Sequence, residues 1–285
     1  MTYRHITVHP VAGALGAEIQ GANLAHLTDE VFDEIHAAWL DYQVVFFHDQ
    51  HITPKQQLAL AHRFGDIHHH PFMKSMDDYP DIFEIVKNEN DTHTFGATWH
   101  SDQMFNPQPA KATILYAKET PDAGGDTLFA SMYAAHDALS ETLRKTLAGV
   151  KTWSIGDRFK HYKGKGRKDR YAGNEKMAGK VKDPGNVITE AAHPLLRTHP
   201  ESGKKALYIG SHTQTLVDFD NEEAAPILAF LRKHAIRPEF TCRFRWQPGS
   251  MAIWDNRCVQ HRALGDFTDQ RRRMHRITIA GDAPF

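Results

Sequence analysis

The polar and apolar positions at the start of the chain predict a strand followed by a helix. Residues 5–21, HITVHPVAGALGAEIQG, have the residue types of an extended segment. Phe32, Ile35 and Trp39 then recur at the spacing of one face of an α-helix that begins near Thr28. Strand and helix are therefore expected to alternate in this part of the chain.

Boundary signals mark the next strand and helix more sharply. The run QVVFF at residues 43–47 predicts a buried strand. Thr53 suits the N-cap of the following helix, Pro54 its first helical position and Gln56 the capping-box position. Gly65 is a suitable residue to end this helix, because glycine is common where helices stop.

Beyond residue 80 the pattern changes to short strands. In residues 239–247, EFTCRFRWQ, apolar and polar side chains alternate as in a half-buried strand. The other predicted strands are residues 81–88, 111–119, 194–200, 205–210, 250–256 and 275–281, with helices at about 131–148 and 221–235. Many spaced strands with few strand–helix–strand units favour a mainly β sandwich or barrel with helices packed outside. With no internal repeat and no linker, we predict one domain over residues 1–285.

Charge and composition exclude several classes of protein. The chain has 34 Lys and Arg against 35 Asp and Glu, which argues against an electrostatic nucleic-acid binder. Its apolar runs are too short for a membrane span or a signal peptide. The two cysteines offer no disulfide framework, so we expect a reduced, cytoplasmic protein. The 20 histidines are unusual, and histidine is the commonest metal ligand.

One segment, residues 156–186, differs from the rest of the chain. It carries ten Lys and Arg against four Asp and Glu, with few large apolar side chains. One interpretation is a mobile lid that closes over an anionic substrate. The other is a solvated, flexible insertion. A nucleic-acid patch is disfavoured, because no aromatic stacking pattern accompanies the charge.

The motif WHSD places His100 and Asp102 two residues apart. On a strand these side chains would share one face about 7 Å apart, where they could bind one metal ion or form a surface pair. Two histidines and one carboxylate suit Fe(II) oxygen chemistry, because they leave three coordination positions open. His261, expected in a loop after a strand, is the candidate third ligand.

The C-terminal stretch QRRRMHRITI predicts a strand with two arginines on its inner face. Arg272 and Arg276 share that face with Met274, whereas Arg271 and Arg273 should face outward as surface charges. Two inward guanidinium groups are costly unless each meets an anion. The strand therefore predicts two anionic guests in one cavity, or one guest and one internal carboxylate.

Taken together, these motifs resemble the taurine dioxygenase family of Fe(II)/2-oxoglutarate oxygenases, which also includes alkylsulfatase-type and aryloxyalkanoate dioxygenases. The resemblance runs from residue 14 to the C-terminus. Its stretches are GAEIQGANL, YQVVFFHDQHITPKQQLALAHRFG, WHSD, GGDTLFASMYAAHDALS, RTHPESGKKALYIG, WDNRCVQHRA and RRRMHRITIAGDAPF. It implies a double-stranded β-helix (jelly-roll) core with flanking α-helices, Fe(II) as the metal, 2-oxoglutarate and O2 as cosubstrates, and a homodimer or homotetramer.

The resemblance also implies roles for individual residues. His100, Asp102 and His261 resemble the iron ligands, and Thr127 and Arg272 resemble the pair that holds the distal carboxylate of 2-oxoglutarate. The substrate-binding residues of the family correspond to His70 and Arg276. The implied reaction hydroxylates a small anionic substrate and releases succinate and CO2. When the hydroxylated carbon carries a heteroatom, the product collapses to a carbonyl and a leaving group.

The substrate pocket departs from the taurine-cleaving pattern. Met73 stands where a tyrosine would contact the sulfonate, and Gly96 stands where an asparagine is expected. The aromatic residue expected after ALYIG falls near Thr213. These differences imply a wider, less polar pocket. A larger sulfonate, a sulfate ester or a carboxylate is therefore favoured over taurine.

Two other functions use the same residues. A zinc hydrolase could use the three ligands with an activated water, but it leaves Arg272 and Thr127 without a task. A non-catalytic anion-binding scaffold would need a broken ligand set, and all three ligands are present.

Simpler roles are expected for several other residues. Trp254 should pack in the core, Cys258 should behave as a small packed hydrophobe, and His93 and His275 should lie on the surface.

Overall fold

The computed structural model describes residues 2–156, 169 and 171–285 of the chain. Its β-strands are β1 (Thr7–Pro10), β2 (Ala17–Gln20), β3 (Val44–Phe47), β4 (Phe83–Lys87), β5 (Ala112–Glu119), β6 (Thr127–Ser131), β7 (Lys151–Ile155), β8 (Glu190–Pro194), β9 (Leu196–Thr198), β10 (Lys205–Leu207), β11 (Thr213–Leu216), β12 (Thr241–Phe244), β13 (Met251–Asp255), β14 (Val259–Ala263) and β15 (Arg272–Ile279). Its α-helices are α1 (Asp29–Tyr42), α2 (Pro54–Phe64), α3 (Met132–Asp137), α4 (Glu141–Leu147), α5 (Glu175–Gly179) and α6 (Asn221–Ala235). Strands therefore dominate the described part of the chain.

The largest sheet has the strand order β1-β2-β3-β13-β5-β15-β4. Its neighbours are antiparallel except for β2 and β3, which are parallel. Smaller sheets have the orders β12-β6-β14, β11-β7-β8 and β10-β9. Strands far apart in the chain thus become neighbours, and β13 and β15 both pair with β5.

The alternation of side chains along β3 shows how the layers pack. Val44 and Phe46 face a core shared with the sheet β12-β6-β14, and the Phe46 ring stacks on Phe244 with 4.2 Å between centroids. Val45 and Phe47 face the opposite core, which α1 and α2 cover. Because both faces are buried, the run QVVFF shows no polar alternation. The predicted mainly β sandwich with outer helices is confirmed.

The predicted start of the first helix and the predicted cap of the second are confirmed. The Thr28 hydroxyl accepts a hydrogen bond from the Val31 N–H at the start of α1. Thr53 and Gln56 form the capping box of α2, and Gly65 follows its last residue. These signals act within one turn of helix, so sequence alone can place them.

Other boundaries differ from the prediction. The single helix expected at 131–148 is two helices, because the Ser140 side chain caps a new helix at the Leu143 N–H. The strand expected at 239–247 begins with a 3-10 turn at Pro238–Phe240. Strands β6 and β14 were not predicted, since their short sequences TLFAS and VQHRA lack a clear alternation.

The basic segment 156–186 is described only in part. Residues 157–168 and 170, which carry most of its positive charge, lie outside the described residues, and so does the predicted lid or insertion there. Farther along, Tyr171 and Met177 are buried in a third apolar cluster with Phe72 and Phe83. This second half is therefore packed against the body of the protein. Within the described residues, none of the helices is long and apolar enough to span a membrane.

Candidate active site

The two candidate histidine ligands are brought together by backbone pairing. His261 lies on β14, not in the loop that the sequence suggested. His100 forms an isolated β-bridge with it. The His100 nitrogen lies 3.1 Å from the His261 carbonyl oxygen, and the His261 nitrogen lies 2.8 Å from the His100 carbonyl oxygen. Asp102 follows in a turn rather than on a strand. The predicted shared strand face is therefore wrong, although the bridge gives the same proximity.

Asp102 lies between the two imidazoles. Its Oδ1 is 3.6 Å from His100 Nε2 and 3.7 Å from His261 Nε2, and one atom from each residue lies within 4.8 Å of the others. The Nδ1 of His100 lies 2.6 Å from the Thr98 carbonyl. When the proton is on Nδ1 and is donated to this carbonyl, Nε2 keeps a lone pair that faces Asp102. This tautomer is the one that a metal ligand needs.

The carboxylate of Asp102 also contacts a cation and a hydroxyl. Arg276 Nη2 lies 2.8 Å from Oδ1, and the Thr113 hydroxyl donates to Oδ2 at 2.6 Å. Burial by itself would raise the pKa of Asp102, but Arg276, His261 and His100 hold it below its ordinary value. The anionic form, which a metal ligand requires, is therefore favoured at neutral pH.

Burial acts in the opposite direction on His261. Desolvation, followed by the nearby His100, lowers the pKa of His261 well below its ordinary value. A neutral imidazole can offer its lone pair to a metal ion. Asp102 and His261 thus favour the protonation states that a metal site requires.

A second group, His199, Asp255 and Cys258, also has ligand atoms close together. Here Arg257 donates to both oxygens of Asp255 at 2.8 and 2.6 Å, and His199 Nε2 lies 2.9 Å from the same carboxylate. This carboxylate is already neutralised and hydrogen-bonded. The group is therefore a structural ion-pair network, and Cys258 is buried in it as expected.

Arg272 lies at the other end of the inner face of β15, four residues from Arg276, or roughly 13 Å along the strand. It is only 8% exposed, and its Nε and Nη2 have no hydrogen-bond partner. Within the part of the chain that the structure describes, it also forms no ion pair with a carboxylate. Burial lowers the pKa of Arg272 to about 10, although Asp126 acts against this shift.

Thr127 belongs to the same region as Arg272. It is the first residue of β6. Trp246 links the two residues, because its Nε1–H donates to the Thr127 hydroxyl at 3.0 Å and its ring lies 5.9 Å from the Arg272 guanidinium. Gly125 leaves space here, since a Cβ would lie 3.3 Å from Arg272 Cδ. A buried cation and a hydroxyl without an acid suit the distal carboxylate of 2-oxoglutarate.

A cavity of about 290 Å³ opens beside the three candidate ligands. His100, Asp102 and Arg276 line one side of it. Much of the remaining wall is apolar or aromatic: Phe72, Met73, Phe95, Phe105, Tyr171 and Val181. Arg272 and Thr127 are not among its lining residues. Of the two arginines, Arg276 lines this cavity and Arg272 does not, and Arg276 meets the internal carboxylate that the sequence argument allowed.

The positions that depart from the taurine pattern are distributed unevenly. Met73 and Gly96, where the chain departs from that pattern, line the cavity together with His70, which matches it. His70 is half-buried, and desolvation and then Arg276 lower its pKa well below the ordinary value. Thr213 is buried away from the cavity, and His212 lines it instead. His212 is therefore the residue in the predicted vicinity of Thr213 that reaches the cavity.

Of the two histidines expected on the surface, His275 is buried and His93 is half-buried. His275 is 5% exposed on β15, with Nε2 3.9 Å from Glu84 Oε1. His93 lines the cavity, where its ring lies edge-on to Tyr171. Neither position follows from local pattern, because the burial of each depends on segments distant in the chain. The outward arginines Arg271 and Arg273 do pair with a surface carboxylate, Glu119.

The sequence did not single out the aromatic wall of the cavity. Phe95 and Tyr171 stack with centroids 5.9 Å apart and an interplanar angle of 14°. Phe105 contributes from the turn after Asp102. The sequence signal for this wall was Phe105, an aromatic residue three positions after the candidate ligand Asp102.

These features define a class of protein. A jelly-roll core that carries two histidines and one carboxylate beside a buried arginine is typical of the mononuclear non-haem oxygenases. Comparison of the sequence with family models gives a match over residues 7–278 to the taurine catabolism dioxygenase TauD, TfdA family. The chain belongs to this family, and the resemblance inferred from its motifs is confirmed.

Named relatives and solved structures agree with this assignment. The chain is 33% identical to an alpha-ketoglutarate-dependent sulfate ester dioxygenase of Pseudomonas putida over 98% of this chain and 91% of that protein. It is 33% identical to an (S)-phenoxypropionate/alpha-ketoglutarate-dioxygenase of Sphingobium herbicidovorans, over 96% and 95%. Alpha-ketoglutarate is another name for 2-oxoglutarate.

Two crystal structures resemble the fold closely. A taurine dioxygenase from Burkholderia xenovorans superposes with a TM-score of 0.82 at 31% identity, covering 99% of this chain and 91% of that one. The structure of AAD-2 in complex with Mn(II) and N-oxalylglycine gives a TM-score of 0.78 at 28% identity, over 100% and 99%. The predicted jelly-roll fold with flanking helices is thereby confirmed.

Proposed function

We propose that this protein is an Fe(II)- and 2-oxoglutarate-dependent dioxygenase that hydroxylates a small anionic organic substrate. Succinate and CO2 are released as coproducts. Where the hydroxylated carbon bears a heteroatom, the product breaks down to a carbonyl compound and a leaving group such as sulfate, sulfite or a phenol. Family membership and the names of the relatives support this reaction class.

His100, Asp102 and His261 are the residues that would hold the iron. Bound there with 2-oxoglutarate and O2, Fe(II) supplies the oxidising chemistry that couples decarboxylation of the cosubstrate to hydroxylation of the substrate. The chain's contribution is to present one neutral nitrogen from each histidine and one charged oxygen from Asp102. The apolar surroundings limit the access of water to these groups.

Arg272 and Thr127 would hold the distal carboxylate of 2-oxoglutarate. The observation that carries the proposal is the buried Arg272, whose Nε and Nη2 have no hydrogen-bond partner among the residues that the structure describes. It lies on the same strand as the arginine that contacts Asp102. A buried cation without an acid is costly, and a bound dicarboxylate would offset that cost. The zinc-hydrolase alternative supplies no anion for this position.

Arg276 and His70 would bind the anionic group of the substrate. Both line the cavity, and Arg276 contacts Asp102 as well, so a substrate anion held there lies next to the proposed metal ligand. The aromatic wall favours a substrate with an apolar body. A sulfate ester, a larger sulfonate or an aryloxyalkanoate fits this wall better than taurine does.

A screen for succinate release tests the proposal. The purified protein with Fe(II), 2-oxoglutarate and O2 should release succinate with at least one member of a panel of sulfate esters, sulfonates and aryloxy acids, and Asp102→Ala should abolish that release. Anaerobic addition of Fe(II) and 2-oxoglutarate should give a visible charge-transfer band. Hydrolysis with Zn(II) in place of iron, without O2 consumption, would favour the hydrolase.

A cytoplasmic location and assembly as a homodimer or homotetramer also stay predictions. Cell fractionation and light scattering of the purified protein test them directly.

A further inference from the structure

We infer that Thr113 and Asn256 are positioning residues that determine which oxygen Asp102 turns toward the proposed metal ion. The inference rests on the proposed function, because it concerns the carboxylate ligand of that site. Neither residue lines the cavity within the described part of the chain, and both are fully buried. Their effect on the metal would therefore pass through Asp102.

The direction of each hydrogen bond in this network can be deduced from one donor. The indole Nε1 of Trp254 can only donate, and it lies 3.0 Å from Asn256 Oδ1. The backbone N–H of Asp102 donates to the same oxygen at 3.1 Å. Two donors on Oδ1 fix the orientation of the Asn256 amide, so its Nδ2 is directed to the opposite side.

The amide in turn fixes the hydroxyl of Thr113. Asn256 Nδ2 donates to Thr113 Oγ1 at 3.0 Å, so the hydroxyl accepts on that side. Its single proton is then left for Asp102 Oδ2, 2.6 Å away. With Oδ2 occupied by this short bond, Oδ1 is the oxygen directed to the two histidine Nε2 atoms, and it also lies 2.8 Å from Arg276 Nη2. The network thus favours a monodentate Asp102.

The surrounding sheet keeps Thr113 in place. On β5 it lies between Trp254 of β13 and Thr278 of β15, its Cα partners in the two neighbouring strands. A central strand position without exposure gives the hydroxyl no access to bulk water, so losing its partners would leave a buried polar group unsatisfied. Trp254 therefore orients this network, in addition to the packing role that the sequence suggested.

Thr113→Val tests the inference, because valine has the same shape without the hydroxyl. The readout is the dissociation constant of Mn(II) measured by calorimetry, with the visible spectrum of bound Co(II) as a report on ligand arrangement. Hydrogen-bonded partners of metal ligands affect metal affinity by roughly 10- to 100-fold, so T113V should weaken Mn(II) binding by that factor and change the Co(II) spectrum. Thr113→Ser retains the hydroxyl and should bind Mn(II) within about 3-fold of the wild type.

Thr152→Val is the matched control. Thr152 is also a fully buried strand threonine whose hydroxyl donates, in this case to the His193 carbonyl at 3.3 Å. T152V should lose stability without loss of Mn(II) affinity. If T113V does not fold, Thr113→Cys tests the inference instead, because a thiol is a weaker hydrogen-bond donor than a hydroxyl. The Mn(II) affinity of T113C should be lower than that of the wild type and higher than that of a variant without a donor.

Asn256→Ala completes a double-mutant cycle. Asn256 acts partly through Thr113 and partly through its own bond to the Asp102 N–H, so the effects of N256A and T113V on Mn(II) affinity should be less than additive. Mn(II) affinity of T113V equal to wild type, or fully additive losses, would overturn the inference. If the wild type binds Mn(II) no more tightly than Asp102→Ala does, the proposed function fails and the inference with it. These two failures are therefore distinguishable.

Discussion

Replacing Arg272 with methionine should stabilise the free protein and remove its response to 2-oxoglutarate. Methionine keeps an unbranched stem and removes the charge. The pKa of Arg272 is held at about 10 by burial, against an ordinary 12.5, which corresponds to a cost of about 3 kcal/mol for burying the cation. Removing the cation removes this cost, but the smaller methionine side chain packs less well and offsets part of the gain. We therefore expect the free energy of unfolding of R272M to be about 1–2 kcal/mol higher than that of the wild type.

Arg257→Met is the matched control for this prediction. Arg257 is also a buried arginine, but it donates to Asp255 at 2.8 and 2.6 Å and to Glu201 at 2.6 Å. Removing it leaves the buried Asp255 without its arginine, although Glu201 keeps Lys111 at 3.5 Å, and this should cost about 3–5 kcal/mol. The two substitutions are chemically identical, so only the partners of each arginine distinguish them.

Urea unfolding with and without 2-oxoglutarate and Mn(II) measures both effects. Ligand at 100 times its Kd should stabilise the wild type by about 2.7 kcal/mol and should leave R272M almost unchanged. A loss of stability in R272M as large as in R257M would refute the argument that Arg272 is an uncompensated charge. A full ligand response in R272M would refute its assignment to 2-oxoglutarate.

Three further predictions follow from the same geometry. Arg276→Leu should raise the KM of the primary substrate roughly 10- to 100-fold in steady-state assays with little change for 2-oxoglutarate; the opposite pattern would mean that the two arginines have exchanged roles. Phe95→Ala should weaken aryl or long alkyl substrates more than short sulfonates, and equal losses would contradict a substrate site at the aromatic wall. Burial lowers the pKa of His193 and of His275 to about 4, below the value near 6.5 in the unfolded chain. Between these two pH values the unfolded chain binds more protons than the folded protein does. The contribution of these histidines to the free energy of unfolding should therefore be complete above about pH 6.5 and be lost as the pH falls toward 4. In urea titrations, the difference in free energy of unfolding between pH 7 and pH 5 should be smaller in His193→Gln than in the wild type.

Much of the candidate site follows from the sequence because its residues carry strong chemical signals. Two arginines on one strand face predict buried cations in search of anions, and both Arg272 and Arg276 are buried. The spacing of His100 and Asp102 suggested proximity, although the structure achieves it through a bridge to His261 and not through a shared strand face. Burial of a charge is costly wherever it occurs, so such patterns are informative without knowledge of the fold.

The sequence was less informative where burial depends on distant segments. His275 and His93 carry no local sign of being covered, and Tyr171 lies in a segment whose composition suggested a flexible surface. The partners of these residues come from other strands and loops, which no window of sequence contains. Short strands such as β14 are predictable only once their neighbours in the sheet are known.

The sequence by itself determined the local elements of this protein and the chemical types at its site. Helices α1 and α2 begin where Thr28 and Thr53 cap them, because a cap and the groups that it satisfies lie within one turn. Only the tertiary structure decided which of the chemical groups meet. It gave Asp102 both Arg276 and Thr113 as partners, and among the described residues it gave Arg272 no ion-paired carboxylate. Hydrogen bonds and charge compensation depend on distances between strands that are far apart in the chain.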